Sequence, residues 1–356
     1  MERDTDFNHN RIRAARQHAL PIEIMDTLNL SHEVSRERLD YQVNHSVAWI
    51  RDDINPQDCV VPIGQSVREE LMQITASVAA NPLPTVLRHP DQFNIPKTRK
   101  VMEEVKRRLN SPPGVVVLES LPLDEITPDQ ATDLFWVIGK IVGRNVAQKW
   151  DGTMVYHVRD TGQQYGYGVR GSYTKVELQF HNDNAFGIAL PDYVGLMCMQ
   201  PSMEGGLSRF CSLYSVHNRL LEKYPQQLCR LYQPVFWDRQ AEHADGEPTA
   251  AKAPVFRYEN KRLFTRANPS LIVKGYEVAQ VTMDCETHDA VAAMKEISED
   301  ESLWFELPLE RGHIQYLNNI DIAHYRSEIV DHPESAKKRH LVRLWHRDSG
   351  QICYDG

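Results

Sequence analysis

The feature that most restricts the fold of this chain is a series of short strand patterns that begins near residue 145. From there onward the sequence predicts many short β-strands separated by Gly, Pro and Asn turns, with helices only near 214–223 and 286–299. A parallel doubly wound sheet would need helices that alternate regularly with its strands, and this half of the chain lacks that alternation. The pattern therefore favours a jelly roll.

The first 110 residues carry a different pattern. Windows such as 67–80 and 98–109 have apolar residues at three- and four-residue spacing, which is typical of amphipathic helices, and prolines separate them. A Ser-Pro-Pro-Gly turn at 111–114 ends this region and leads into a Val-Val-Val-Leu run that predicts a buried strand. We therefore expect a mixed α+β protein, with a helical N-terminal extension over 1–110 and a β-rich domain with flanking helices over 111–356.

Composition and charge exclude several classes of protein. Hydrophobic residues make up 41% and charged residues 25% of the 356 residues, as in ordinary globular proteins. The net charge of −9 is spread along the chain, which argues against a nucleic-acid partner. No apolar run approaches the ~20 residues needed to cross a bilayer, and the first residues do not resemble a signal peptide. We expect a cytoplasmic protein without a membrane partner, and a homo-oligomer stays open.

The six cysteines are scattered and form no Cys-x-x-Cys pair. Such spacing favours reduced thiols over a disulfide framework or a zinc site. A candidate metal site must therefore come from other side chains.

Four His-x-Asp pairs occur among the fifteen histidines, at positions 89, 181, 243 and 346, so the motif alone proves nothing. Such a pair can chelate one ion if both side chains leave the backbone on the same side, as alternate residues of a strand do. The pair at 89 contains a proline in a loop, the pair at 243 lies in a polar loop, and the pair at 346 follows a strand. Only the pair at 181 lies in a clear strand pattern. In that pattern the polar residues alternate with apolar ones and share a face: Glu177, Gln179, His181 and Asp183.

Two histidines and one carboxylate on one face of an iron ion form a facial triad, which leaves three coordination positions open. His324, which follows an Asn-Asn turn between two apolar strands, is the candidate second histidine, although a lone histidine is more often structural. Further on, Arg339 and Arg343 share one face of an apolar strand, where guanidinium groups are costly unless they meet anions. A dicarboxylate co-substrate would supply those anions. The alternative is an exposed strand face that pairs with acidic side chains.

From about Gly114 to Arg347 these segments resemble the taurine dioxygenase and clavaminate synthase group (TauD/TfdA-like) of iron(II)- and 2-oxoglutarate-dependent oxygenases. The segment 180–186 is similar to the family's first metal segment, although Asn182 stands where Thr is more usual. The segment 318–326 is similar to the second metal segment. The resemblance implies that residues 111–356 form a catalytic domain with a double-stranded β-helix core. It also implies that the metal is Fe(II), with the ligands His181, Asp183 and His324.

The resemblance extends to the binding of co-substrates, which it implies are 2-oxoglutarate and O2. The Gly-Gly segment that ends at Ser208 is similar to the family's, in which the hydroxyl residue helps to hold the distal carboxylate of 2-oxoglutarate. By the same match Arg339 binds that carboxylate, and Arg343 lies nearer the iron end or the substrate. Related halogenases lack the metal-binding carboxylate, so Asp183 disfavours halogenation.

The implied activity is oxidation, most often hydroxylation, of an unactivated C–H bond in a small polar metabolite that bears an amino or carboxylate group, with release of succinate and CO2. Desaturation or cyclisation would use the same ligands and stays open. A non-catalytic, cupin-like metal sensor and a metal-dependent isomerase or lyase are alternatives, although the paired arginines and Ser208 speak against the sensor. The candidate substrate-pocket residues are Arg170, Tyr173, Thr174, Glu177, Gln179, Asn184 and Arg266, of which Glu177 could receive an amine.

Overall fold

Helices and strands alternate irregularly along the chain. The computed structural model describes residues 27–356, apart from residues 36, 165 and 167. In this part the α-helices are α1 (Gln65–Ala80), α2 (Pro96–Leu109), α3 (Pro128–Val142), α4 (Leu213–Lys223), α5 (Pro225–Leu231), α6 (Pro269–Val278) and α7 (Cys285–Ser298). The strands are β1 (Leu28–Asn29), β2 (Val60–Val61), β3 (Val115–Leu118), β4 (Arg144–Val146), β5 (Tyr156–Val158), β6 (Leu178–His181), β7 (Tyr193–Gln200), β8 (Glu204–Gly205), β9 (Ser208–Ser212), β10 (Pro234–Asp238), β11 (Ala250–Pro254), β12 (Phe256–Glu259), β13 (Arg262–Thr265), β14 (Trp304–Leu307), β15 (Ile314–Asn318), β16 (Ile322–Arg326), β17 (Ile329–Val330) and β18 (His340–Arg347).

The largest sheet has seven strands in the order β2-β3-β15-β7-β18-β4, with β5 also paired to β18. All its pairs are antiparallel except that of β2 with β3. The four residues of β3 are all buried, as the β-branched run predicted, because this strand is covered on both faces.

A second sheet of four strands, β14-β9-β16-β6, faces the first. An apolar cluster fills the space between them: Val115, Val194, Leu317 and Trp345 come from the large sheet, and Phe210, Phe305 and Ile322 from the small one. Successive residues of a strand point to opposite faces, so the residues two positions from these apolar side chains also point into the space between the sheets. In β16 those residues are His324 and Arg326, and in β18 one of them is Arg343.

Helices cover the outer faces of both sheets. α1 buries Val67, Leu71, Ile74 and Val78, which recur at the three- and four-residue spacing that predicted this helix. These residues, together with α2 and α3, pack on the large sheet in one apolar cluster. The helices α4 to α7 pack in another cluster with the small sheet and with β10 and β11. Within the described residues no helix is both long and apolar enough to cross a membrane.

The protein is thus a mixed α/β fold, and its N-terminal part differs from the expected helical extension. The predicted helices at 67–80 and 98–109 are α1 and α2, but the described residues before α1 form short 3-10 turns and two-residue strands instead of α-helices. β1 pairs with β11, and β2 extends the large sheet beside β3. The backbone of this segment therefore finds its hydrogen-bond partners in the sheets, which sequence periodicity could not show. Residues 1–26 lie outside the described part.

Candidate metal centre

His181 and His324 lie on adjacent strands of the small sheet and are register partners, with their Cα atoms opposite each other. Their ring centroids are 4.1 Å apart. Each imidazole also approaches Asp183: Oδ1 lies 3.7 Å from Nε2 of His181 and 3.8 Å from Nε2 of His324. Among the described residues, one group of three His, Cys, Asp or Glu side chains has ligand atoms close enough together to hold a metal ion, and it consists of these three residues.

Asp183 reaches this position differently from the sequence prediction, which placed it on the strand with His181. β6 ends at His181, and Asp183 lies in the turn that follows. That turn is held by Asn319, whose Oδ1 accepts a hydrogen bond of 2.8 Å from the Asp183 amide. The Asn182 side chain donates to the Asn319 carbonyl at 2.5 Å and accepts from the Ala267 amide at 2.8 Å. Asn182, which the resemblance marked as a departure, thus anchors the backbone beside the metal ligands.

The two oxygens of the Asp183 carboxylate have different surroundings. Oδ2 accepts a hydrogen bond of 2.7 Å from the Trp345 indole and lies 3.0 Å from Nη1 of Arg343. Burial by itself would raise the pKa of Asp183, but the Arg343 guanidinium, the two imidazoles and the Trp345 N–H lower it to about 2. The carboxylate is therefore ionised at neutral pH, with Oδ1 left to face the imidazoles.

The two imidazoles are neutral. Burial lowers the pKa of His324 to about 3 and also lowers the pKa of His181. Nδ1 of His181 lies 2.7 Å from the Gln179 carbonyl, so its N–H donates there and the lone pair is on Nε2, which faces Asp183. Two neutral imidazole nitrogens and one anionic oxygen are the donor set of an iron(II) facial triad, and the residues present fit that metal.

Arg343 lies at the metal end of the site. Its guanidinium is 4.6 Å from the centroid of the Tyr156 ring and 5.0 Å from that of Trp345. Its Nε donates to Oε1 of Gln148 at 2.8 Å. Arg343 therefore holds the Asp183 carboxylate in place and is itself held by Gln148, a residue that no sequence motif indicated.

A cavity of about 190 Å³ opens beside His181, Asp183 and Arg343. Four of the predicted substrate-pocket residues line it, and the sequence prediction missed several others. The predicted ones are Arg170, Glu177, Gln179 and Asn184, and those missed include Gln240, Asn268, Ser270 and Trp345. Glu177 is exposed at the cavity's edge, and Arg170 is buried, with its Nε 2.8 Å from Oε1 of Glu242.

Three predicted substrate-pocket residues are not among those that line the cavity. Tyr173 stacks on Tyr156 with ring centroids 5.2 Å apart. The Thr174 hydroxyl donates to a backbone carbonyl three residues earlier. Arg266 points away, because its guanidinium pairs with Glu33 at 3.0 Å and donates to two backbone carbonyls. A buried arginine is stabilised by such partners, and here they lie outside the cavity.

Ser208 and Arg339 are buried at a second position, where Arg339 lies against Gly206, two residues before Ser208. Ser208 in β9 is the register partner of Arg326, the last residue of β16. Arg326 and Arg339 are both buried, and their charges repel each other. Burial and the charge of Arg339 lower the pKa of Arg326 to about 9. Burial lowers the pKa of Arg339 to about 10. Sequence motifs gave Arg326 no role, although it lies two residues after His324.

The sequence of this chain also matches known proteins. Residues 79–345 match the model of the family described as taurine catabolism dioxygenase TauD, TfdA family. The chain is 27% identical to FR-33289 synthase of Streptomyces rubellomurinus over 272 residues, which cover 72% of this chain and 76% of that one. It is 26% identical over 328 residues to the taurine hydroxylase-like protein SAT17 of Stachybotrys chartarum, and these residues cover 87% and 81% of the two chains.

Solved structures are similar in fold. An asparagine oxygenase, solved with Fe(II), hydroxyasparagine and succinate, has a TM-score of 0.61 at 18% identity and covers 82% of this chain and 94% of its own. The non-haem iron oxygenase OrfP, solved with Fe, succinate and dihydroxyarginine, has a TM-score of 0.62 at 14% identity, with the same coverage. At these identities the likeness shows a shared fold.

Proposed function

Because this chain belongs to the TauD/TfdA family of iron(II)- and 2-oxoglutarate-dependent oxygenases, we propose that it oxidises an unactivated C–H bond of a small polar metabolite. The metabolite bears an amino or a carboxylate group, and hydroxylation is the expected outcome. The single observation that carries the proposal is the arrangement of groups around the Asp183 carboxylate. One of its oxygens is held by Trp345 and Arg343, and the other faces two neutral imidazoles beside a cavity.

His181, Asp183 and His324 would hold the iron. When bound, iron(II) supplies the activation of O2 that is coupled to conversion of 2-oxoglutarate to succinate and CO2. The chain's own contribution begins with Gln179, whose carbonyl orients the His181 ring. Arg343 and Trp345 keep one carboxylate oxygen of Asp183 directed at the imidazoles, and such outer partners raise metal affinity because the ligand atoms are positioned before the metal binds.

We assign the distal carboxylate of 2-oxoglutarate to Arg339 and Ser208. Both are buried, and neither lines the cavity of about 190 Å³ beside the ligands. A guanidinium there can form two parallel hydrogen bonds with a carboxylate. Arg343, by contrast, is engaged with Asp183 and Gln148, which favours a role in positioning the metal ligand or in contacting substrate.

The cavity supports a substrate that bears an amino group. Its two cationic residues are already paired, Arg170 with Glu242 and Arg343 with Asp183. The exposed Glu177 lies at its edge and could receive an amine. The solved structures named above contain hydroxylated asparagine and arginine, which supports an amino-acid-like substrate. Desaturation or cyclisation of such a substrate would use the same ligands and is the alternative outcome.

We also propose that the two facing sheets form a double-stranded β-helix and that residues 111–356 are the catalytic domain. The strands that carry His181, His324 and Arg343, the turn that carries Asp183, and Arg339 all lie in this range. Cytoplasmic location and a homo-oligomeric state stay predictions from the sequence.

The test is formation of succinate from 2-oxoglutarate. Protein loaded anaerobically with iron(II) and 2-oxoglutarate would receive a panel of amino acids and carboxylic acids before oxygen is admitted. We expect one class of compound to raise succinate formation above the uncoupled background. His181→Ala, Asp183→Ala and His324→Ala should each abolish it. His288→Ala, which removes a histidine that is 73% exposed on α7, is the matched control. Equal succinate formation by the wild type, the three ligand variants and His288→Ala would refute the proposed oxygenase activity.

A further inference from the structure

We propose that Arg326 is a second guanidinium of the site that binds the distal carboxylate of 2-oxoglutarate. It acts beside Arg339 and gives the protein its preference for a five-carbon 2-oxo diacid over a 2-oxo monoacid. The inference rests on the proposed function, because it requires a co-substrate that is bound at the candidate metal centre. It adds a residue that neither the motifs nor the family resemblance assigned to this site.

The strand register places Arg326 at a suitable distance from the metal ligands. Arg326 lies two residues after His324 on β16, so both side chains leave the same face of the strand. Ile322, on that same face, packs in the apolar cluster between the two sheets. Two residues of strand span roughly 6–7 Å, about the extended length of a five-carbon diacid. A 2-oxo acid held at the metal by its keto acid end would therefore extend its other end towards Arg326.

Two of the three nitrogens of the Arg326 guanidinium lack acceptors. Only Nη2 has partners, namely the Thr174 carbonyl at 3.0 Å and the Val176 carbonyl. Nε and Nη1 are buried and have no hydrogen-bond partner, and the residue is only 6% exposed. A buried cationic donor without an acceptor is costly, and a bound carboxylate would remove that cost.

Arg339 likewise forms no ion pair with a described residue, although the Asp331 carboxylate accepts a hydrogen bond of 2.6 Å from its backbone amide. Among the described residues, no carboxylate lies within ion-pairing distance of either guanidinium, although most other buried arginines, such as Arg266 and Arg343, have one. Arg339 lies against Gly206, two residues before Ser208, and Ser208 is the register partner of Arg326, so the two cationic side chains lie near each other. Two neighbouring buried cations that form no ion pair with the described carboxylates are best explained by an anionic ligand that they share.

The neighbouring backbone completes the site. Ser208 is the register partner of Arg326, so its side chain lies on the same face of the small sheet. Gly206, at φ +68°, lies against Arg339: a Cβ added there would meet Nε of Arg339 at 3.4 Å and Oγ of Ser202 at 2.8 Å. The turn therefore needs glycine, both for its backbone angle and for the room it leaves to Arg339. The side chains of Ser208, Arg326 and Arg339 thus lie near one another.

A structural role alone would explain less. The two carbonyls that accept from Nη2 hold the chain that leads into β6, and this could be the reason for an arginine. That role leaves Nε and Nη1 without a use. It also predicts that loss of the side chain affects every ligand of the metal centre equally, because the His181 strand would shift as a whole.

Binding of two matched ligands distinguishes these roles. Isothermal titration of the anaerobic iron(II)-loaded protein would compare 2-oxoglutarate with 2-oxopentanoate, which has the same chain length and lacks the distal carboxylate. We expect Arg326→Gln to weaken 2-oxoglutarate binding about tenfold or more, since a charge-assisted hydrogen bond is lost, and to leave 2-oxopentanoate binding unchanged. Arg209→Gln is the control: Arg209 lies beside Ser208 on the opposite face of β9 and pairs with Glu306 at 3.0 Å.

Two results would overturn the inference: equal weakening of both ligands, or no change for either. Failure of the wild-type protein to bind 2-oxoglutarate would instead refute the proposed function. If Arg326→Gln does not fold, Arg326→Lys keeps the charge and removes the forked geometry. We expect that variant to lower the ratio of the two affinities, and the wild-type ratio in a folded Arg326→Lys protein would count against the inference.

Discussion

The indole of Trp345 donates a hydrogen bond of 2.7 Å to Oδ2 of Asp183, across the space between the two sheets. Trp345 belongs to β18 of the large sheet, whereas Asp183 follows β6 of the small one. The contact, together with Arg343, determines which carboxylate oxygen faces the imidazoles. The metal centre is therefore organised by both sheets, although all three candidate ligands lie in or directly beside the small sheet.

Trp345→Phe should weaken metal binding while the three candidate ligands stay in place. The substitution removes the N–H donor and keeps most of the aromatic packing, so the Asp183 carboxylate can rotate away from the imidazoles. Loss of such an outer partner lowers metal affinity by about 10–100-fold. Anaerobic titration with iron(II) would measure the change. Trp150→Phe, a substitution at a tryptophan that is 52% exposed, is the control, and identical affinities of the two variants would contradict the expectation.

Asp183→Ala should destabilise the metal-free protein as well as abolish metal binding. Without the carboxylate, the buried Arg343 guanidinium loses its ion-pair partner, and breaking a buried pair costs about 3–5 kcal/mol. Denaturant unfolding of the apoprotein measures this free energy. Asp289→Ala, where the side chain is 63% exposed, should change it by no more than about 0.5 kcal/mol. An Asp183→Ala protein as stable as the wild type would show that the pair with Arg343 does not hold the site together.

Glu242→Ala should destabilise the wall of the cavity. Arg170 and Glu242 lie 2.8 Å apart with side chains only 7% and 6% exposed, so removal of the carboxylate leaves a buried cation. We expect a loss of about 3–5 kcal/mol in the free energy of unfolding. The exposed pair of Arg257 and Glu259 provides the comparison, where Glu259→Ala should cost at most about 1 kcal/mol. Equal effects of the two substitutions would mean that the Arg170 pair is solvated in solution.

The stability of the protein should fall as the pH is lowered from about 6.5 to about 3. Burial lowers the pKa of His346 to about 3 and that of His217 to about 4, from the ordinary value of 6.5. Below pH 6.5 the unfolded chain binds protons that the folded protein does not, so acid favours unfolding until the folded-state pKa is reached.

The measurement is the free energy of unfolding of the apoprotein as a function of pH. His346→Leu should flatten the curve in this window, because the residue that it removes contributes a proton only to the unfolded state. His288→Leu, at a histidine whose side chain is 73% exposed, is the matched control. A His346→Leu curve parallel to the wild type would refute the assignment.

Local patterns predicted much of the fold. The three- and four-residue spacing of apolar residues predicted α1 and α2, and the predicted helices at 214–223 and 286–299 agree with α4 and α7 to within one residue. Such patterns depend on residues a few positions apart, which the backbone itself brings together. They missed α5 and α6, which begin with prolines and are only 7 and 10 residues long.

The sequence by itself, through its residue types and family motifs, determined which side chains could form the metal centre: His181, Asp183 and His324. Tertiary structure decided how they are held. Asp183 is positioned by Asn319 and Trp345, which lie 136 and 162 residues away, and Arg266 is turned from the cavity by Glu33, 233 residues away. Arg326 became a candidate only when its unpaired nitrogens and its register with Ser208 were visible. The reason is physical: the cost of a buried charge depends on neighbours that strand register brings together, and no local pattern encodes that register.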